Sequence, residues 1–145
     1  MTTLVAPVKT DHLLPAAPEH LHQDATEWLS DLEFCRTELS FLIKLLDKTF
    51  LRVRGTQRLD DLSILEKKVR ALRAKPLKQL HDAVILHEQH LASLDLDEFS
   101  LNRQSIVEEH AKHELGVTAF MRTIKKIKKE IFDFVEAEIK TSSKK

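Results

Sequence analysis

Histidine and carboxylate residues concentrate the chemistry of this chain. Residues 1–39 and 79–119 together hold 15 of the 23 carboxylates, 4 of the 23 Lys and Arg, and all 8 His. Three of the histidines, His87, His110 and His113, fall where an apolar repeat otherwise carries Leu, Val or Ile, so they read as inward-facing. Imidazole and carboxylate are the usual protein ligands of Zn, Fe, Mn, Ni and Cu, and helical bundles build such centres from inward side chains on facing helices. The expected metal set is therefore His87, His110 and His113, completed by Asp31 or by a neighbouring acid, Asp24 or Glu27. His90 and Glu114 lie one turn beyond His87 and His110 and are further candidate ligands, because residues three and four apart share a helix face.

Spacing alone does not single out one chemistry. His-x-x-His occurs at His87 with His90 and at His110 with His113, whereas a helical pair serving one metal is more often four apart. The run HEQH, residues 87–90, is one residue short of the zinc-protease pattern HExxH. The ferritin-like di-iron arrangement needs two Glu-x-x-His helices, and the sequence offers Glu19 with His22. A structural role is the competing reading: neutral histidines with both nitrogens satisfied can fix register, while each partnerless buried polar group costs about 1–3 kcal/mol. In a third reading, nearby carboxylates favour His protonation around the reference value of about 6.5.

Covalent catalysis has little to work with. Cys35 is the single cysteine, it has no histidine at its level, and two glycines cannot build a phosphate-cradling loop. Trp28 and Cys35 both read as packing residues. Enzymatic activity is not expected, and metal-assisted redox or hydrolytic chemistry at the histidines is the one version with residues to name.

The elements that must position these groups are long helices. Two Gly, four Pro, no Tyr and 32% charged residues suit an all-α protein, and 145 residues suit one domain. A 4-3-4-3 spacing joins Leu21, Ala25, Trp28, Leu32, Cys35, Leu39, Leu42, Leu46, Thr49 and Val53 in a first helix from about Glu19 to Arg54, stopped by Gly55. A second helix from about Gln57 to Leu94 changes phase near Pro76, where a kink or a short break around Ala74 to Pro76 is expected. The third, from about Leu101 with Ser100 as cap to Lys140, aligns Ile106, His110, His113, Val117, Phe120, Ile124, Ile127, Ile131, Phe134 and Glu138, and its seam is expected to fray at Glu138.

Short connections make an antiparallel up-down-up bundle of three long helices the economical arrangement, each about 55–60 Å long. Residues 19–140 form the expected domain, with a disordered arm over 1–18 and a disordered tail over 141–145. If the second connection is centred near Glu98 and Phe99, residues whose numbers sum to about 197 share a level, which sets His87 opposite His110. The same counting across Gly55 brings Asp24 and Glu27 toward His87 and Val84. Asp24, Asp31 and Glu38 repeat every seven residues beside the first seam.

The function expected is that of a non-catalytic interaction or scaffold bundle with a His/carboxylate cluster at one end. The alternative is a transition-metal-binding bundle with a metal-dependent redox or storage role. Phe34 and Phe41 lie off the first seam, and Phe132 and Val135 widen the third, which points to a homodimer or another protein partner. Lys67, Lys68, Arg70 and Arg73 join the basic run at 124–132, but without interleaved aromatics or a recognised motif nucleic acid is not an expected partner. No stretch reaches the ~20 apolar residues of a membrane span, and a lone cysteine fits the cytoplasm.

Overall fold

The computed structural model describes residue 10 and residues 17–143, and every regular element among them is helical. These are α1 (Pro18–Val53), α2 (Arg58–Ala74), α3 (Pro76–Ser93), α4 (Leu96–Leu101) and α5 (Arg103–Ser143). Apart from residues 10 and 17 and the ends of α1 and α5, the expected arm and tail lie outside the described residues. No described helix is long and apolar enough to cross a membrane.

The seams form because their periodic residues are the ones removed from water. Leu21, Ala25, Leu32, Cys35, Leu39, Leu42, Leu46, Thr49 and Val53 are all buried along α1, and Trp28 is half-buried among them. Pro18 opens α1 where its missing N–H costs nothing, after Ala17 in extended backbone. Gly55 turns the chain within the first connection at φ +80°, a conformation glycine adopts without strain. Thr56 Oγ1 then donates to the Val53 carbonyl at 2.6 Å and accepts the Arg58 N–H at 3.2 Å, so one side chain closes α1 and opens α2.

Of the kink or short break expected near Pro76, the structure has the break: the second rod is two helices, α2 and α3. Lys75 leaves helical geometry at φ −127° and ψ −65° before Pro76 starts α3. Proline brings no N–H for the Leu72 carbonyl and its ring crowds the preceding turn. The break also resets the phase, so Leu62, Leu65 and Val69 before it and Leu77, Val84 and His87 after it are all buried.

The second connection also departs from expectation, since it contains α4 and the long helix begins at Arg103 rather than Leu101. Asp95 is the cause. Its carboxylate accepts the Glu98 N–H at 2.7 Å while Glu98 Oε1 accepts the Asp95 N–H at 3.2 Å, a reciprocal capping box that nucleates a short helix.

Contacts define the chain directions. His22 meets Glu88, Glu33 faces His81 at 3.9 Å and Ser40 accepts from Arg73 at 3.2 Å, so α1 runs opposite to α2 and α3. Asp24 with His110, Cys35 with Met121 and Glu38 with Lys128 show α1 and α5 running together. The apolar interior is in two parts: a large cluster from Val53 and Ile131 up to Leu32, Val84 and Val117, and a smaller one around Leu21, Ala25, Leu91, Phe99 and Val107. His87 and His110 lie between them as a polar layer, and the half-buried Trp28 packs on both.

At the far end the seam does not fray. Glu138 is 7% exposed and pairs with Arg58 Nε at 2.5 Å. The Arg58 guanidinium also covers the Phe134 ring at 4.2 Å and donates to the Phe134 carbonyl at 3.2 Å.

Candidate metal centre

Helix α3 supplies His87, and the first third of α5 supplies Glu109, His110 and His113. His87 takes a seam position on α3, and His110 the matching one on α5, where only 2% and 0% of the two residues stay exposed. Gly116 keeps the helices close just below: a Cβ there would lie 3.4 Å from Leu80 Cδ1. Facing imidazoles at this height meet directly, with His87 Nε2 and His110 Nδ1 2.8 Å apart.

Both rings use their other nitrogen as well. His110 Nε2 lies 3.1 Å from Asp24 Oδ2 on α1, and His87 Nδ1 lies 3.2 Å from Glu109 Oε1. The result is a carboxylate–imidazole–imidazole–carboxylate chain crossing α1, α5 and α3. Trp28 stacks on His110 at a centroid distance of 4.6 Å, and His113 stacks on His87 at 4.6 Å, so the rings are held on their faces as well as their edges.

Burial sets the protonation of this layer. The His87 pKa is pushed down to about 4, first by loss of water and then by His113 and His110, with Glu109 opposing. His113 is lowered as well, again chiefly by burial. Both rings are therefore neutral at neutral pH and have a lone pair to offer.

One ligand atom from each of His87, Glu109 and His113 falls within 4.8 Å of the others. Two imidazoles and one carboxylate form a set suited to Zn and Fe(II), and three protein ligands leave coordination positions free for water or a small molecule. His87 sits at the closed back of this group, while the Glu109 side chain is 49% exposed and gives it a solvent side.

Of the residues expected from sequence, His87 and His113 converge, and His110 and Asp24 stand behind His87 rather than beside His113. His90 is on the exposed rim with Nδ1 3.7 Å from Glu109 Oε1. Glu114 is half-buried on α5 outside the converging group. Asp31 and Glu27 are exposed on α1; the charge of Asp31 acts on Cys35, and Glu27 accepts from Gln23 at 3.5 Å. The acid that reaches the site from α5 is Glu109, which the seam reading passed over because it stands beside the seam. Its signal was its spacing of four from His113, one helical turn on the same face.

Cys35 takes no part. Its Sγ lies 3.3 Å from Met121 Sδ, and burial with Glu38 and Asp31 nearby pushes its pKa up to about 11, so the nucleophilic thiolate is suppressed. No protein-family model matches the chain, and neither a curated protein nor a solved structure matches it significantly.

Proposed function

We propose that the protein is a non-catalytic, cytoplasmic bundle of three antiparallel rods, the second divided at Lys75, that holds a divalent transition metal through His87, Glu109 and His113. One observation carries this reading. Asp24, His110, His87 and Glu109 make three polar contacts in series, but two neutral imidazoles bring only two N–H groups. With Asp24 accepting from the His110 Nε2–H and His110 Nδ1 accepting from the His87 Nε2–H, His87 Nδ1 keeps a lone pair that faces the Glu109 carboxylate. That contact needs a cation. Burial opposes the proton at neutral pH, and a metal bound to His87 Nδ1, Glu109 and His113 completes it.

In this arrangement Asp24 and His110 are positioning residues. A metal-bound histidine commonly gives its other N–H to an acceptor that fixes its tautomer and angle, and His110 backed by Asp24 does this for His87. The free coordination positions support a storage or redox role for the bound ion. The test is elemental content by plasma mass spectrometry of protein made without a histidine tag, followed by titration with Zn(II), Fe(II), Mn(II), Ni(II) and Cu(II). Near-stoichiometric metal that is lost in His87→Leu is expected. A metal-free protein that takes up none of the five overturns the reading.

A second reading, self-association as an interaction module, is favoured by Phe34 and Phe41. They are 61% and 56% exposed and lie seven residues apart on one face of α1. Sedimentation velocity tests it: Phe34→Ser with Phe41→Ser should shift a dimer to monomer, and a wild-type protein that stays monomeric at high concentration rules it out.

A further inference from the structure

The break between α2 and α3 leaves a hollow against α5. Because Lys75 departs from the helix and Ala71 has a small side chain, the surface there opens into a groove of about 500 Å³. Leu72, Pro76 and the buried Ile127 make its apolar floor. Lysine dominates the rim: Lys68, Lys75 and Lys126 stand around it with a single acid, Glu130. Glu130 is spoken for by Lys68 Nζ at 3.5 Å, and no described carboxylate lies within ion-pair distance of Lys75 or Lys126.

We propose that this groove binds a medium-chain fatty acid, with the carboxylate between Lys75 and Lys126 and the alkyl chain along Leu72 and Ile127. The volume lies within the ordinary range of about 300–1,000 Å³ for small-molecule sites. The lining holds no aromatic ring on which a nucleobase could stack. A flexible alkyl chain needs only apolar surface, and lysine stems can lie along it while their ammonium groups stay in water. This site lies beyond the histidine layer and does not depend on it.

Isothermal titration calorimetry with monomeric decanoate, and with decanol as the uncharged probe, tests the assignment on the full chain. Decanoate should bind the wild-type protein with one site, and decanol about tenfold or more weakly, since two lysines contribute to the head group. Lys75→Glu with Lys126→Glu should weaken decanoate by a comparable factor, and Ala71→Trp, which fills the hollow and keeps the charges, should remove binding. Equal affinity for decanoate and decanol overturns the proposal, as does undiminished binding in Ala71→Trp. Binding to phosphatidylglycerol vesicles with no uptake of monomeric decanoate also overturns it, and assigns the lysines to a lipid surface instead. The wild-type comparison of the two probes stands even if a variant fails to fold.

Discussion

His87 Nε2 and His110 Nδ1 stand 2.8 Å apart, so one of these nitrogens bears a proton and the other a lone pair. Carboxylates face both outer nitrogens, Glu109 at His87 and Asp24 at His110, and in the metal-bound state we propose it is Asp24 that decides which. Because its carboxylate accepts from His110 Nε2, the neutral His110 has a bare Nδ1 and His87 must donate to it. A carboxylate on α1 thereby fixes the tautomer of a ring on α3 that it does not touch, and turns the lone pair of that ring toward Glu109.

Asp24→Asn separates ligands from positioning residues. An amide still reaches His110 but no longer holds one tautomer by charge, and loss of such a supporting acid typically weakens metal affinity about 10–100-fold. His113→Ala and Glu109→Gln remove a ligand, and their metal-dependent rise in melting temperature should disappear. Calorimetric titration with Zn(II) checks the order. Equal losses in all three variants would remove the distinction.

Metal location has an optical readout. Trp28 is the single tryptophan, and its ring stacks on His110, whose ring is 5.0 Å from that of His87. Cu(II) should quench Trp28 emission at stoichiometric addition, while Zn(II) should leave most of it. Quenching by Cu(II) that survives His87→Leu would place the ion elsewhere.

Acid should destabilise the metal-free fold through His87. Its folded pKa is lowered to about 4, against about 6.5 in the unfolded chain, so the unfolded state binds more protons between these values. The stability contributed by the neutral ring is present above about pH 6.5 and is lost as the pH falls toward 4, a change on the order of 3 kcal/mol. Urea unfolding at stepped pH should show this decline, and His87→Leu should flatten it. A parallel decline in that variant assigns the effect to other groups.

Cys35 should resist labelling. Buried beside Met121 and with its pKa pushed up to about 11, it offers almost no thiolate at pH 8. Reaction with a chromogenic disulfide should follow unfolding, as judged by circular dichroism, instead of preceding it.

Arg58 and Glu138 should be strongly non-additive. Arg58→Met leaves the carboxylate of a residue only 7% exposed without its partner and should cost about 2–3 kcal/mol. Glu138→Leu with Arg58→Met replaces the pair by apolar groups and should recover much of that loss. Thermal melts of the single and double variants close the cycle, and simple additivity would show that the pair is not coupled.

Sequence reading succeeded where physical period carried the information. Burial repeats every three to four residues on a helix, so the Leu-rich seam of α1 is visible residue by residue. His87 and His110 sum to 197, and counting back from a short connection was enough to set them opposite one another. Residues beside a seam are harder, because their direction depends on helix rotation. Asp31 and Glu109 illustrate the difficulty: Asp31 shares a stripe with Asp24 but stands two turns from the layer, whereas Glu109 was hidden by its place next to His110. Pro76 marks where a helix must yield without saying how far, so a kink and a short break were both open where Lys75 leaves the helix altogether. Asp95 and Glu98 did have a readable helix-start spacing, and α4 follows from it.

The joint at Lys75 also governs where this chain can tolerate a change of length. One residue added within α3 ahead of His87 turns that ring by about 100° away from His110, because each residue advances a helix by that angle. One added beside Lys75 falls in backbone that is already non-helical and need not be passed on to either neighbour. The two halves of this arm can therefore drift in sequence length independently, and insertions should accumulate at that hinge while the spacing from Pro76 to His87 stays fixed.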